Sequence, residues 1–193
     1  MPLLTEKRVR DAARQITSSF QKSVGRVLRE VAKAQLAEGV FDIFLSHSYD
    51  DKELVLGAAA ILEGFGFDVY IDWVVDDLDR SRVTPAHAAI LRKRMRQSKA
   101  LLYLKSENST DSTWMPWELG YFDALRGRVG ILPVTRSTRR EFDGNEYLGL
   151  YPYVDVDFDR RNAERLWINR SPKEYGQLRE WLDNRDAIQK HAA

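Results

Sequence analysis

The stretch Asp-Ser-Thr-Trp-Met-Pro-Trp-Glu-Leu-Gly-Tyr-Phe-Asp-Ala-Leu-Arg-Gly, from Asp111 to Gly127, predicts the helix around which the rest of the fold is organised. Its first three residues are of types that commonly cap helices, Pro116 suits a first turn, and a glycine follows the last turn. Large apolar side chains recur along it at offsets of three and four, which predicts a stripe that faces a core or a cleft. The members of this stripe are Trp114, Trp117, Tyr121, Phe122 and Leu125.

Glu118 lies within the apolar stripe, one turn after Trp114 and one turn before Phe122. A carboxylate on such a face lowers stability unless another group pairs with it. One interpretation is a glutamate whose stem packs while its head reaches water or a backbone N–H. The other is a functional carboxylate in the wall of a pocket. The helix alone leaves both open.

The composition excludes several classes of site. With 193 residues and 44% apolar content, the chain can form one domain of ordinary size plus an appendage. A formal charge of +1 gives no global case for nucleic acid or membranes as partners. The absence of cysteine excludes disulfides, zinc–thiolate sites and a cysteine nucleophile. No apolar run is long enough to span a bilayer, and we expect a cytoplasmic protein.

Residues 4–38 carry helix formers with apolar residues at steps of three and four, and Gly39 ends the run. This pattern predicts one long amphipathic helix, which forms the segment 1–39. Its basic residues outnumber its acidic ones, but such a helix more often docks on its own domain or pairs with another copy than binds a membrane.

After Gly39, apolar strands alternate with helical segments. The predicted strands are 40–45, 67–72, 100–104, 129–134 and 151–156, and the predicted helices are 54–63, 85–98, 111–127 and one from Pro172. Residues 73–84 form a polar loop, and the tail after Gln189 is expected to be loose. Three aromatic residues near the end, Trp167, Tyr175 and Trp181, are expected to pack in the core of the last helix layer.

This alternation predicts an α/β fold, a flavodoxin-like five-stranded parallel sheet of order 2-1-3-4-5 with helices on both faces. In such sheets ligands bind beyond the carboxyl ends of strands one and three, where the strand order reverses. That rule selects Ser46, His47 and Ser48 after the first strand and residues 105–114 after the third. Glu118 then falls close to the crevice, which favours the functional carboxylate.

Four stretches stand in one order: residues 41–48, 66–72, 98–104 and the Trp-x-x-x-Glu-Leu motif that starts at Trp114. Each alone is weak, but together they resemble a TIR (Toll/interleukin-1 receptor) domain, and more closely a bacterial one than one from an animal receptor. The resemblance covers about residues 41–182. It divides the chain into the N-terminal helix (1–39), a TIR domain (40–189) and a tail (190–193).

The resemblance implies cleavage of NAD⁺ at the nicotinamide–ribose bond. The catalytic glutamate of the family's motif falls on Glu118, and the motif's tryptophan falls on Trp114, which would line the pocket. Family members frame the dinucleotide with the segment after the first strand and the loop after the second, which here implies substrate-binding roles for Ser46, His47, Ser48 and Asp72. The Pro-Gly pair that is common in that loop is absent here, so its closure is expected to differ.

One carboxylate suits this reaction. Nicotinamide is cationic on the ribose and leaves as a neutral molecule, so the group to be stabilised is the positive charge that grows on the sugar. We expect no metal or cofactor, because His47, His87 and His191 lack the spacing of metal ligands, and His87 is expected on an exposed helix. Attack by water would give ADP-ribose, and attack by the substrate's own adenine a cyclic ADP-ribose. The sequence leaves both products open.

Two other functions remain as alternatives. Many TIR domains only assemble with one another, and a non-catalytic scaffold module is the first. The second is a nucleoside 2-deoxyribosyltransferase-like enzyme, which residues 117–121 also resemble. The family further implies self-association through TIR contacts and a role in bacterial immune signalling, for which we expect an activator or downstream effector. The N-terminal helix lies outside the resemblance, and we expect it to contribute to self-association as well. Nucleic acid is not expected as a partner, because we interpret the basic loop with Arg136, Arg139 and Arg140 as a solvent-exposed loop.

Overall fold

A computed structural model of the chain describes residues 2–35, 39–73, 84–144 and 146–191. These residues form a nine-stranded mixed sheet with helices on both faces. The strands are β1 (Leu4–Thr5), β2 (Phe41–Ser46), β3 (Val69–Ile71), β4 (Ser98–Lys105), β5 (Val129–Thr135), β6 (Tyr153–Phe158), β7 (Glu164–Ser171), β8 (Glu174–Gln177) and β9 (Gln189–Lys190). The helices are α1 (Glu6–Phe20), α2 (Val24–Gln35), α3 (Lys52–Gly64), α4 (Pro85–Arg96), α5 (Trp114–Arg126) and α6 (Leu178–Asp183).

The sheet is larger than the five parallel strands expected from the sequence. The order is β3-β2-β4-β5-β6-β7-β8-β9, and β1 pairs with β5. The five predicted strands are β2 to β6, which are neighbours and parallel. Strands β7, β8 and β9 then continue the sheet in antiparallel fashion. The fold is therefore α/β with a mostly parallel centre and an antiparallel extension.

The helix predicted from Pro172 starts later and is shorter than expected, because a strand takes the place of its first part. Residues 164–177 form the hairpin of β7 and β8, Pro172 lies in its turn, and α6 starts only at Leu178. Buried Leu166 and Ile168 flank half-buried Trp167, which is the alternation of a strand. The tail expected to be loose after Gln189 instead pairs with β8 through β9. Residues 192 and 193 lie outside the described residues.

The single N-terminal helix is also corrected, because the chain breaks between α1 and α2. Gln21 adopts a left-handed conformation with φ 51°, and its N–H donates to the carbonyl of Ser18. The hydroxyls of Thr17 and Ser19 donate to carbonyls one turn earlier, and such side chains weaken helix propagation. The apolar pattern keeps its period across the break, so periodicity could not reveal it.

The apolar faces of α1 and α2 pack against the molecule's own core. Val9, Ala13 and Leu28 are fully buried in the same cluster as the inner residues of β2 and β4. Helix α1 lies directly against α3 at Gly57, where a Cβ would lie 1.9 Å from the carbonyl oxygen of Val9. Within the described part of the chain, no helix combines the length and apolar character needed to cross a membrane.

Replacing Gly57 with alanine should separate α1 from α3, because the added methyl meets backbone atoms. We expect a loss of about 1–3 kcal/mol or more in the free energy of unfolding, measured by urea denaturation. Gly64→Ala is the matched control, since that glycine lies in the same helix and a Cβ there meets nothing within 4 Å. Equal stability of Gly57→Ala and the wild type would contradict the close packing.

Asp155 is a buried acid in the middle of β6. It is 1% exposed, and burial raises the pKa of its carboxyl from 3.8 to about 7. Between these two values the folded state holds more protons than the unfolded state. The contribution of Asp155 to stability is therefore complete below about pH 4 and is lost as the pH rises through about 7.

Asp155→Asn should remove this loss. The stability of the variant relative to the wild type should be higher at pH 8 than at pH 5, by up to about 3 kcal/mol, because only the part of the pKa shift between pH 5 and about pH 7 falls in this range. Urea denaturation at the two pH values measures the difference. Asp157→Asn on the same strand is the control for the charge change. A stability difference that does not vary with pH would show that Asp155 is not the titrating group.

Candidate functional site

A buried hydrogen bond joins the end of β2 to α5. Ser46 is the last residue of β2, and its Oγ donates to Oε2 of Glu118 at 2.5 Å. Met115, Leu119 and Phe122 pack α5 on the sheet, and Glu118 lies on the same side, 5% exposed. The carboxylate is thus held in a fixed orientation at the carboxyl edge of the central strands.

The loops after β2 and β3 contact each other through stacked rings. Nδ1 of His47 lies 2.8 Å from the carbonyl oxygen of Leu45, which fixes the imidazole beside the strand. Trp73 stacks on His47 with a centroid distance of 6.0 Å and on Tyr49 with one of 4.9 Å. The rings of His47 and Tyr49 form a ring wall of the cavity that Glu118 also lines, and Trp73 packs against both rings. The rest of the second loop, residues 74–83, lies outside the described residues.

The first turn of α4 forms the opposite wall. Thr84 caps this helix by accepting the N–H of His87, whose Nε2 lies 3.4 Å from Oδ2 of Asp72. The imidazole meets the edge of Trp114 at a centroid distance of 5.3 Å. Nε1 of Trp114 is buried and has no hydrogen-bond partner among the described residues.

These walls enclose a cavity of about 160 Å³. Among the residues that line it are His47, Ser48, Asp72, Trp114 and Glu118. The sixth predicted site residue, Ser46, binds Glu118 directly. The structure therefore brings together the six residues to which the sequence analysis gave catalytic or substrate-binding roles, while those roles stay predictions.

His87 is the residue that the sequence interpretation missed. It was expected on an exposed helix, but its side chain is only 21% exposed and lines the cavity. A signal was available: Thr84 and Pro85 mark the start of α4, and they place His87 in a first turn that follows the predicted loop at the strand ends.

A second polar network fixes the loops that carry the site, and it was also missed. Asp51 is buried and accepts hydrogen bonds from Ser106 and, at 2.9 Å, from Asn108. It thereby ties the segment after β2 to the segment between β4 and α5. Lys105 donates to Ser109 at 3.1 Å, and burial lowers the pKa of its ammonium. The start of α5, and with it Glu118, is positioned by this network.

The cavity favours a cationic ligand. Its lining contributes the carboxylates of Glu118, Asp72 and Asp50, while its histidines are cationic only when protonated. A buried carboxylate near a growing positive charge stabilises that charge more than it would in water. The described residues hold no group of three side chains placed to bind a metal ion. That the reaction needs no metal or cofactor stays a prediction.

Comparison with known proteins gives a family model and two relatives. The model of the TIR domain matches residues 43–167. A probable 3′ cyclic ADP-D-ribose synthase, ThsB′ of Bacillus cereus (strain MSX-D12), is 44% identical over 167 residues, which are 85% of this chain and 86% of that protein. TIR2 of Cytobacillus dafuensis, provisionally named a cyclic ADP-D-ribose synthase, is 34% identical over 84 residues, which are 42% of this chain and 22% of that protein.

Ser46→Ala should destabilise the fold, because it removes a buried hydrogen bond to a carboxylate. We expect the free energy of unfolding to fall by about 1–3 kcal/mol, measured by urea denaturation. Ser19→Ala removes a serine hydroxyl at an exposed position of α1 and serves as the control. A Ser46→Ala protein as stable as the wild type would mean that the hydrogen bond contributes nothing to the folded state.

Proposed function

The chain belongs to the TIR domain family, and we propose that it is an enzyme that cleaves NAD⁺ at the nicotinamide–ribose bond and forms a cyclic ADP-ribose for bacterial antiphage signalling. The observation that carries the proposal is the buried carboxylate of Glu118, held by Ser46 in the wall of a cavity. The relative ThsB′, similar over most of both chains, supports the same activity.

Glu118 is the proposed catalytic residue. Nicotinamide leaves as a neutral group, so the bond breaks without a proton donor, and positive charge grows on the ribose carbon. The carboxylate stabilises that charge and can accept hydrogen bonds from the ribose hydroxyls. Ser46 keeps the carboxylate oriented before the substrate arrives, which lowers the reorganisation needed in the transition state.

Trp114 and the ring wall are proposed to hold the nicotinamide end of the substrate. Pockets that enclose a drug-sized ligand measure about 300–1,000 Å³, so the cavity of about 160 Å³ can take only part of a dinucleotide. The indole N–H of Trp114 can donate to the carboxamide oxygen, and His47, Ser48 and Asp72 border the same space. The adenosine half then lies beyond the described cavity.

The product follows from what attacks the ribose carbon as nicotinamide departs. A hydroxyl or ring nitrogen of the adenosine half closes a ring, whereas water gives linear ADP-ribose. We propose the 3′ cyclic isomer, because the relative that aligns over 86% of its length is named for that product.

Self-association is proposed to complete the substrate site. The adenosine half needs contacts beyond the small cavity, and a second copy can supply them. The N-terminal helices bury their apolar faces in their own core, so the surfaces of the TIR domain are better candidates for this contact. A cytoplasmic location, and an activator or downstream effector, remain part of the proposal.

The alternatives make different demands on the structure. A scaffold module has no need for a buried carboxylate beside a cavity. A nucleoside 2-deoxyribosyltransferase-like enzyme would need a covalent bond between Glu118 and the sugar, and the family match over residues 43–167 favours the TIR assignment. Nucleosides are therefore the second substrates to test.

Glu118→Gln should abolish turnover and leave the fold intact, since the side chain keeps its volume and loses its charge. We expect release of nicotinamide to fall by about 10²-fold or more, measured by chromatography and mass spectrometry on concentrated protein incubated with NAD⁺. Glu141→Gln, at an exposed position, is the matched control and should retain full activity.

Two outcomes would contradict the assignment. A folded Glu118→Gln protein with wild-type turnover would exclude Glu118 as the catalytic residue. If concentrated wild-type protein cleaves nucleosides but not NAD⁺, the deoxyribosyltransferase-like function is correct. The mass of the second product separates the cyclic from the linear compound.

A further inference from the structure

A second cavity, of about 540 Å³, shares none of its described lining residues with the cavity at Glu118. It lies between the turn that joins β6 to β7, the strand β7, the start of α6 and the segment before β3. Its described lining residues include four arginines, Arg160, Arg161, Arg165 and Arg179, and one carboxylate, that of Asp159. This composition is the opposite of the acidic lining at Glu118.

The carboxylate of Asp159 is already used within the turn. It accepts the backbone N–H groups of Arg161 and Ala163 at 2.9 Å each, and Nε of Arg165 lies 3.0 Å away. These hydrogen bonds hold the pKa of Asp159 below its usual value. Asp159 thus shapes the turn and neutralises only part of the charge on the arginines.

The arginines of the turn keep donors available. Neither Arg160 nor Arg161 makes a side-chain hydrogen bond or ion pair within the described part of the chain, and Arg165 contacts Asp159 only through Nε. The turn that carries them is closed by the hydrogen bond from Asp159 N to Ala163 O at 2.8 Å, and Asn162 takes the left-handed conformation, φ 59°. The guanidinium groups of Arg160 and Arg161 are therefore attached to a turn whose backbone conformation is fixed by hydrogen bonds.

Aromatic rings form the remaining wall. Trp167 is half-buried, its Nε1 donates to the carbonyl of Asp157 at 3.2 Å, and its ring meets Tyr175 edge to face. The guanidinium of Arg179 lies 4.2 Å from the ring centroid of Phe67 and donates to the carbonyl of Gly66 at 2.6 Å. Both planar groups are held in place before any ligand binds.

We propose that this cavity is a nucleotide-binding site, in which the arginines of the turn bind a diphosphate and Trp167 stacks on the base. Guanidinium groups bind phosphate oxygens through paired, charge-assisted hydrogen bonds. Aromatic side chains stack on bases of any sequence. The volume lies in the range of sites for small ligands, which favours a free nucleotide over a polymer. The site is additional to the proposed NAD⁺ cleavage and uses none of its residues.

The test is binding of ADP to the full-length protein, measured by isothermal titration calorimetry without turnover. Arg160→Ala/Arg161→Ala should weaken ADP binding at least tenfold. Arg139→Ala/Arg140→Ala removes an equally charged pair of neighbouring exposed arginines that do not line the cavity, and should change the affinity less than twofold. Equal affinity in the two double variants, including binding that occurs only at the Glu118 cavity, would overturn the proposal.

Two further measurements distinguish the contribution of the base from that of the phosphates to ADP binding. Trp167→Leu should weaken ADP binding at least threefold and leave pyrophosphate binding unchanged, and circular dichroism checks that the variant is folded. If pyrophosphate binds wild-type protein as tightly as ADP and Trp167→Leu has no effect, the site is not a nucleotide site. Because no turnover is measured, failure of the proposed NAD⁺ cleavage would leave these results unaffected.

Discussion

The hydrogen bond between Ser46 and Glu118 is the contact on which the site depends. It places a carboxylate, 5% exposed, between the end of a central strand and the first turns of a helix. Burying such a group without a donor would lower stability by several kcal/mol, on the order of 2–7 for a neutral polar group and more for a charge. The fold must therefore end β2 and start α5 at points that bring these two side chains together.

The surrounding structure meets that requirement in layers. Asp51 ties the segment after β2 to the segment before α5. The segments that carry Ser46 and Glu118 are therefore held together by a second set of hydrogen bonds. The stacked rings of His47, Trp73 and Tyr49 hold the next loop against the first. On the other face of the sheet, α1 packs closely on α3, which covers the strand that carries Ser46. A buried charge is tolerated here because its neighbours are fixed by separate contacts.

The sequence was informative wherever a pattern had one physical meaning. The Trp-x-x-x-Glu motif within an apolar helix predicted the position of Glu118, because the helix period fixes which side chains share a face. The rule that ligands bind beyond the carboxyl ends of parallel strands predicted Ser46, His47 and Ser48. The prediction was wrong where the same apolar periodicity fits two different structures. A helix that breaks at Gln21 keeps the same apolar phase. The strand that contains Tyr175, followed directly by the short helix that starts at Leu178, resembles one helix. His87 was missed because contact across two elements, rather than spacing within one, brings it to Asp72 and Trp114.

The charges in the cavity at Glu118 also constrain where the rest of the proposed substrate, NAD⁺, would lie. Carboxylates of Glu118, Asp72 and Asp50 attract the cationic nicotinamide and repel a diphosphate, and the described lining includes no lysine or arginine. In the proposed function the diphosphate therefore lies outside the cavity, and a second copy of the chain is one source of the cations that it needs. The small acidic cavity would then select one end of the dinucleotide, and a separate basic surface would bind the other.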